Sequence, residues 1–218
     1  MAARYTLVIG NKNVSSWSLR PWLAMKMAKL AFDELIVPLD TPQAKNGILA
    51  HSPSGKVPAL VIVEAGKRQT VWDSLAICET IAEHHPGARL WPKPATARAA
   101  ARSIVAEMHS GFAALRNALP MDITARRETP ALNDATQGDI ARVVAIWTSA
   151  LERSAKKDGF LFGHFTIADA FYAPVATRFR TYGIKVPKTA QAYAKRLLAL
   201  PAMREWEHAA KIESTAAA

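Results

Sequence analysis

A chain of 218 residues, half of them hydrophobic and with mean hydropathy +0.00, has the length for one domain or two small ones and the composition of a globular protein with a real core. No apolar run approaches the roughly 18 to 20 residues of a membrane span, and a single cysteine, Cys78, excludes an intrachain disulfide framework and any multi-cysteine metal site. The formal charge of +10 is uneven, with nine Lys/Arg against seven Asp/Glu in residues 1–85 and nineteen against eleven in residues 86–218.

In chain order, residues 4–9 read as a short strand. A polar segment over 10–16 then leads into residues 17–27, whose large apolar groups recur at helical spacing. Ser15 and Ser16 therefore sit where a strand hands over to a helix. The first helical turn carries unpaired N–H groups and a positive dipole end, and so holds anions. A second strand is predicted over 32–37 and a short irregular helix over 43–50. A third strand at 59–63 and a fourth at 68–71 form a hairpin about Gly66, and an amphipathic helix follows over 75–83. Composition changes at Pro86–Gly87 and Pro92–Pro94. Beyond, residues 95–119 are alanine-rich and predicted helical. A long helix capped by Asn133 or Thr136 is expected to reach about Lys157 and stop at Asp158–Gly159. Further helices are expected over 167–182, 189–200 and 201–212, with a frayed tail after Ser214.

The order β-α-β-(α)-β-β-α followed by helices resembles the glutathione S-transferase family, and four segments carry the resemblance across nearly the whole chain. Residues 14–23 (VSSWSLRPWL) resemble the serine-bearing active-site segment of the zeta and related classes. Residues 52–60 (SPSGKVPAL) resemble the stretch around the family's cis-proline. Residues 72–77 (WDSLAI) match its acidic-Ser-x-x-Ile pattern, and residues 163–169 (GHFTIAD) its Gly-x-x-Ser/Thr-Ile-Ala-Asp motif. The resemblance implies a thioredoxin-like α/β glutathione-binding domain over residues 1–85, a linker over 86–94 and an all-α domain over 95–218 lining an electrophile site.

For the residues themselves, the resemblance implies that Pro58 is cis, a form that costs proline only about 0.5–1 kcal/mol. The backbone of Val57 would pair with the cysteinyl part of glutathione, and Lys56 would reach its glycyl carboxylate. Ser74 would take the γ-glutamyl carboxylate and Asp73 the amino group. The bland reading of Asp73 and Ser74 is a helix cap. Thr166 and Asp169 are structural, a capping box with Asp for the usual Glu or Gln and Phe165 as a staple.

Glutathione transfer needs a thiolate, and a serine hydroxyl beside helix N–H groups favours the anion. Ser15 is the first candidate donor and Ser16 the second. Counting back from Arg20 without a gap places Asn13 opposite the family's serine. Cys78 falls in an apolar stripe, and the six histidines show no metal-ligand spacing. The expected co-substrate is glutathione, without metal. The expected second substrate is a small hydrophobic electrophile walled by residues 108–115 and 171–179. Maleyl-acid isomerisation and non-catalytic ligand binding are the alternatives. A homodimer without nucleic-acid or membrane partners is expected. The basic second half lacks aromatic–basic interleaving, which leaves a nucleic-acid-binding role as a distant alternative. Nothing at the N-terminus marks export, so the default address is cytoplasmic.

Overall fold

The computed structural model describes residues 3–154 and 159–216. In chain order these form β1 (Arg4–Ile9), α1 (Ser16–Met27), β2 (Asp33–Ile36), α2 (Ala44–Leu49), β3 (Ala59–Glu64), β4 (Lys67–Trp72) and α3 (Ser74–His84). A single 3₁₀ turn at Pro86–Ala88 leads to α4 (Ala95–Ser110), α5 (Ala113–Ala118), α6 (Asp134–Arg153), α7 (Ile167–Thr181), α8 (Lys188–Ala199) and α9 (Pro201–Ala216). A mixed α/β domain of thioredoxin-like architecture is thus followed by an all-helical one.

The sheet order is β2-β1-β3-β4, with β2 parallel to β1 and the other pairs antiparallel. Alternation along β1 and β3 splits their side chains between two cores. Leu7, Ile9, Leu60 and Ile62 face α1 and α3, while Val8, Ala59 and Val61 pack with Ile48 of α2 and with Val37, which follows β2. Register then decides where function sits. Val8 pairs with Ala59, and Ala59 pairs with Trp72. The end of β1, the start of β3 and the end of β4 therefore lie in one row. The loop to α1, the Val57–Pro58 step and the Asp73–Ser74 turn all leave the sheet at that same end.

The helical domain is built around α7. Its residues are buried on every side apart from Arg180, as expected of a helix apolar all round and enclosed by neighbours. On one side it meets α1; on others it meets α4 and α8. Trp147 of α6 closes the core against Tyr172, Phe179 and Tyr193, with ring centroids 4.9–6.0 Å away. The start of α7 carries the expected capping box. The buried Asp169 carboxylate accepts the Thr166 N–H (2.8 Å), the Thr166 hydroxyl (3.1 Å), the Leu161 N–H (3.1 Å) and the Tyr193 hydroxyl (3.0 Å). Phe165 stacks edge-on against Phe160 at 5.7 Å.

Two helices depart from the sequence reading. The alanine-rich stretch 95–119 is broken at Gly111–Phe112, where Phe112 takes a left-handed φ of 60° and buries its ring. A Cβ at Gly111 would stand 2.9 Å from the Glu107 carbonyl oxygen, so glycine lets the chain turn there. Arg116 then reaches back to donate to the terminal carbonyls of α4, Met108 O and His109 O. The long helix α6, capped by Asn133 at its start, ends at Arg153. The expected reach to Lys157 and stop at Asp158 lie outside the described residues. At the C-terminus, α9 runs to Ala216, past the expected end at Ile212, and the last residues of the tail expected to fray after Ser214 lie outside the described residues.

Candidate active site at the end of the sheet

The loop from β1 to α1 is fixed from the helical domain. Lys12 donates its N–H to Glu213 Oε2 (2.7 Å), and its carbonyl accepts the Trp206 indole N–H (2.8 Å), both from α9. Its ammonium is buried against Glu34 Oε2 (2.5 Å) and over the rings of Trp22 and Trp206. Asn13 is likewise committed. Its side-chain amide donates to Asp122 (3.0 Å), its side-chain oxygen accepts from the Thr124 N–H and hydroxyl (3.1 Å each), and its carbonyl accepts from Ile123. Nothing in the sequence pattern marks these long-range ties, since Glu213 lies 201 residues from Lys12. Asn13, opposite the family's serine by counting, thus serves as an inter-domain brace.

Ser15 is the N-cap of α1, but its side chain does not cap. Its hydroxyl donates to Ser18 Oγ at 2.7 Å, which also accepts the Gly10 N–H at 3.1 Å. Ser16, the first residue of the helix, is held differently: its Oγ accepts a hydrogen bond from Arg178 Nη2 of α7 at 3.1 Å. Arg178 is buried and bonds only to neutral acceptors, giving Nε to Leu119 O (2.9 Å) and Nη1 to Pro174 O (3.2 Å). Burial, and after it the charge of Arg116, push its guanidinium down to about 10. Leu19 is the first residue of α1 whose N–H meets the carbonyl four residues back, at Ser15, and the Ser16 N–H donates to Val14 O at 2.9 Å, so the N–H groups of Trp17 and Ser18 remain for an anion.

The other two segments complete the notch. The Val57–Pro58 bond is cis, and Val57 precedes the β3 ladder, which begins at Ala59. Lys56 beside it is exposed. Asp73 has φ 75°, a left-handed conformation that is uncommon outside glycine and clusters at ligand sites. Its Oδ1 accepts the Leu75 and Ala76 N–H groups (2.8 and 3.4 Å), and its Oδ2 faces His109 Nε2 of α4 at 3.3 Å. Burial, reinforced by Arg20 and Arg116 and opposed by Asp73, lowers the His109 pKa. The Ser74 hydroxyl is buried without a hydrogen-bond partner. Buried polar groups are nearly always satisfied, which makes Ser74 an open position.

The walls expected from residues 108–115 and 171–179 are mostly core. Met108, Phe112, Leu115, Phe171, Val175 and Phe179 are buried. The half-buried groups these segments and their neighbours bring to the inter-domain side are His109 of α4 and Trp17 of α1, with Arg116 of α5. Trp17 meets His109 edge-on at 5.4 Å, and its ring lies 4.0 Å from the guanidinium carbon of Arg20 and 4.7 Å from that of Arg116. Periodicity marks an apolar helix face without saying whether neighbour or ligand covers it. The arginines carried no local signal beyond their charge. Cys78 is a core thiol pushed up by burial, and among the described residues no group of His, Cys, Asp and Glu is placed to hold a metal ion.

A family model of the glutathione S-transferase N-terminal domain matches residues 14–84, and one of the glutathione S-transferase C-terminal domain matches residues 95–209. A Caenorhabditis elegans protein named probable maleylacetoacetate isomerase is 33% identical over 113 residues, 52% of this chain, and the match spans half of that relative's length (50%). Two solved structures share the fold. A glutathione transferase homologue from Burkholderia gl BGR1, with bound glutathione, is 23% identical with a TM-score of 0.70 over 95% of this chain and 98% of that one. Maleylacetoacetate isomerase from Anaeromyxobacter dehalogenans 2CP-1, also with bound glutathione, is 24% identical with a TM-score of 0.67 over 94% and 95%. With one model matching the α/β half and the other more than half of the chain, the protein belongs to the glutathione S-transferase family.

Proposed function

We propose that the chain binds glutathione in the notch at the end of the sheet, holds its sulfur as the thiolate at the start of α1, and adds it to a small electrophile between the domains. The observation that carries this reading is the Ser16 hydroxyl. Its oxygen accepts from a buried, carboxylate-free guanidinium, so its own hydrogen stays available and is polarised for donation. This reading puts Ser16 ahead of Ser15, the reverse of the sequence expectation, because the Ser15 hydroxyl donates to Ser18. A hydrogen bond that strengthens as sulfur becomes charged lowers the barrier selectively. In the step itself the thiol proton leaves to solvent, a sulfur electron pair forms the C–S bond as the electrophile's π bond breaks, and the displaced π pair on the neighbouring atom takes a proton from water.

In this reading Ser74 takes the γ-glutamyl carboxylate, Asp73 the amino group, Val57 the cysteinyl backbone and Lys56 the glycyl carboxylate. A two-fold homodimer, implied by the resemblance, would scatter light as about twice 23.7 kDa. A second reading, glutathione-dependent isomerisation of an olefinic acid, uses the same thiolate reversibly and is favoured by the names of the relatives.

Calorimetry with glutathione tests the core of the proposal. Binding is expected at millimolar concentration or below, and Ser74→Ala should weaken it on the order of tenfold, the worth of one hydrogen bond to a charged group. Absence of heat at millimolar glutathione would remove the functional reading. Wild-type affinity in Ser74→Ala would remove only the role given to Ser74.

A further inference from the structure

A tyrosine and two consecutive histidines meet at the end of the sheet away from the glutathione notch. Tyr5 lies near the start of β1, in the same core as Leu7 and Ile9. His84 is the last residue of α3, and His85 leaves the helix with φ −128° and ψ 63°. Neighbouring residues of an unbroken helix point about 100° apart. The break at His85 instead brings both rings to one atom. The Tyr5 hydroxyl lies 3.2 Å from His84 Nδ1 and 2.9 Å from His85 Nε2. The rings approach through these atoms rather than through their faces, with centroids 6.4 and 5.6 Å apart at interplanar angles of 45° and 65°.

A phenol has one hydrogen, so it donates to only one of the two nitrogens, and the other ring must present an N–H to it. A metal ion would use a lone pair of all three groups at once. Bonds of about 2.0–2.1 Å to nitrogen or oxygen set neighbouring ligand atoms about 2.9 Å apart at a right angle and about 3.3 Å apart at the tetrahedral angle. The two observed separations fall within that interval. We propose that Tyr5, His84 and His85 form a binding site for a divalent late transition-metal ion, zinc or copper in type. Imidazole donors select these ions over magnesium or calcium.

The group is a pair of imidazoles completed by a phenol, and so lies outside any three-residue set of His, Cys, Asp and Glu. His84 is exposed and His85 half-buried, which gives the ion a path in and leaves water to complete its coordination. Each imidazole would bind as the tautomer with its proton on the other ring nitrogen. At Tyr5 the O–H bond breaks, an oxygen lone pair forms the bond to the metal, and the proton goes to solvent. Burial and the charge of Glu64 raise the Tyr5 pKa, so the phenol is protonated until the ion arrives. The site is independent of the glutathione reading: the ten residues from Ser74 to His84 place it about 15 Å along α3 from the notch, at roughly 1.5 Å per residue.

The test is calorimetry of the tag-free full chain with Zn²⁺, in the absence of glutathione, whose thiol would itself take the metal. One ion per chain is expected to bind. His84→Ala and His85→Ala should each lower the affinity by at least the tenfold to hundredfold, roughly, that loss of a supporting contact costs a metal site. His208→Ala, at an exposed position of α9, should leave it unchanged. With Cu²⁺ instead, a visible phenolate-to-copper charge-transfer band should appear and be missing in Tyr5→Phe. Tyr5→Phe keeps the buried ring and His84 is exposed, so both variants are read on folded protein. No zinc binding by the wild type would reduce the group to hydrogen-bonded packing and overturn the site. Binding that survives in both histidine variants, or that falls in His208→Ala, overturns it by placing the ion elsewhere. Copper binding without the charge-transfer band overturns the three-ligand site.

Discussion

Asp169→Asn should destabilise the fold by about 3–5 kcal/mol, a large share of the roughly 5–15 kcal/mol that holds a domain together. The carboxylate accepts four hydrogen bonds, two at each oxygen, from Leu161, Tyr193 and Thr166. Asparagine keeps one acceptor oxygen and turns an NH₂ toward two donors, leaving buried groups unpaired at about 1–3 kcal/mol each. For a chain of this size that is a fall in Tm of roughly 10 °C. Burial raises the pKa of Asp169 to about 6 against the pull of its four donors. An unfolded aspartate titrates near 3.9. The native state therefore keeps a proton that the unfolded chain releases between about pH 4 and pH 6. The stability from this group is fully present below pH 4 and is lost as pH rises through 6, by on the order of 3 kcal/mol. Urea melts of wild type and Asp169→Asn at pH 4 and pH 6.5 check both statements. The gap between them should narrow at the higher pH, and equal melting at both would show that Asp169 is not the anchor of α7.

Arg178→Met should separate stability from catalysis. Methionine strips Leu119 O of its buried donor, which costs about 1–3 kcal/mol. It also removes a buried cation that Arg116 repels, so the net change in melting should be small. Turnover should nevertheless fall about tenfold to a hundredfold, because Ser16 loses the charged donor that polarises it. Glutathione affinity should change little, since the carboxylate contacts are elsewhere. Arg178→Lys, with a point charge in place of a fork, should recover part of the rate. Steady-state kinetics beside thermal melts read the two effects separately. Unchanged turnover in Arg178→Met would assign Arg178 to packing alone.

Much of the fold is visible in residues 4–84 because its signals are local. Alternation in β1 and β3, the Gly66 hairpin and the Asp73–Ser74 turn each act within a few residues, and pairing then follows from the hairpin. The Thr166–Asp169 cap is equally local. What sequence could not show depends on tertiary partners. Alanine periodicity carries past Gly111–Phe112, yet the chain turns there, with Phe112 at a left-handed φ and its ring buried, and Arg116 folds back to donate to the last carbonyls of α4. The apolar faces of α4 and α7 read as cleft walls, but neighbouring helices cover them. Ser15 and Ser16 look equivalent in the chain. They are distinguished by Ser18, three residues from Ser15, and by Arg178, 162 residues from Ser16. Arg116 and Arg178, which meet Arg20 beside the serine turn, show in the sequence only within the basic balance of the second half, which charge counting could not place.

Spectroscopic titration of the glutathione thiol in the bound complex tests the central claim most directly. A free thiol titrates near 8.5. If the start of α1, with Ser16 backed by Arg178, holds the sulfur as an anion, the bound thiol should titrate at least about one unit lower, and Ser16→Ala should return most of that shift while Ser15→Ala returns little. Bound glutathione that titrates like the free thiol would contradict the account, whatever its affinity.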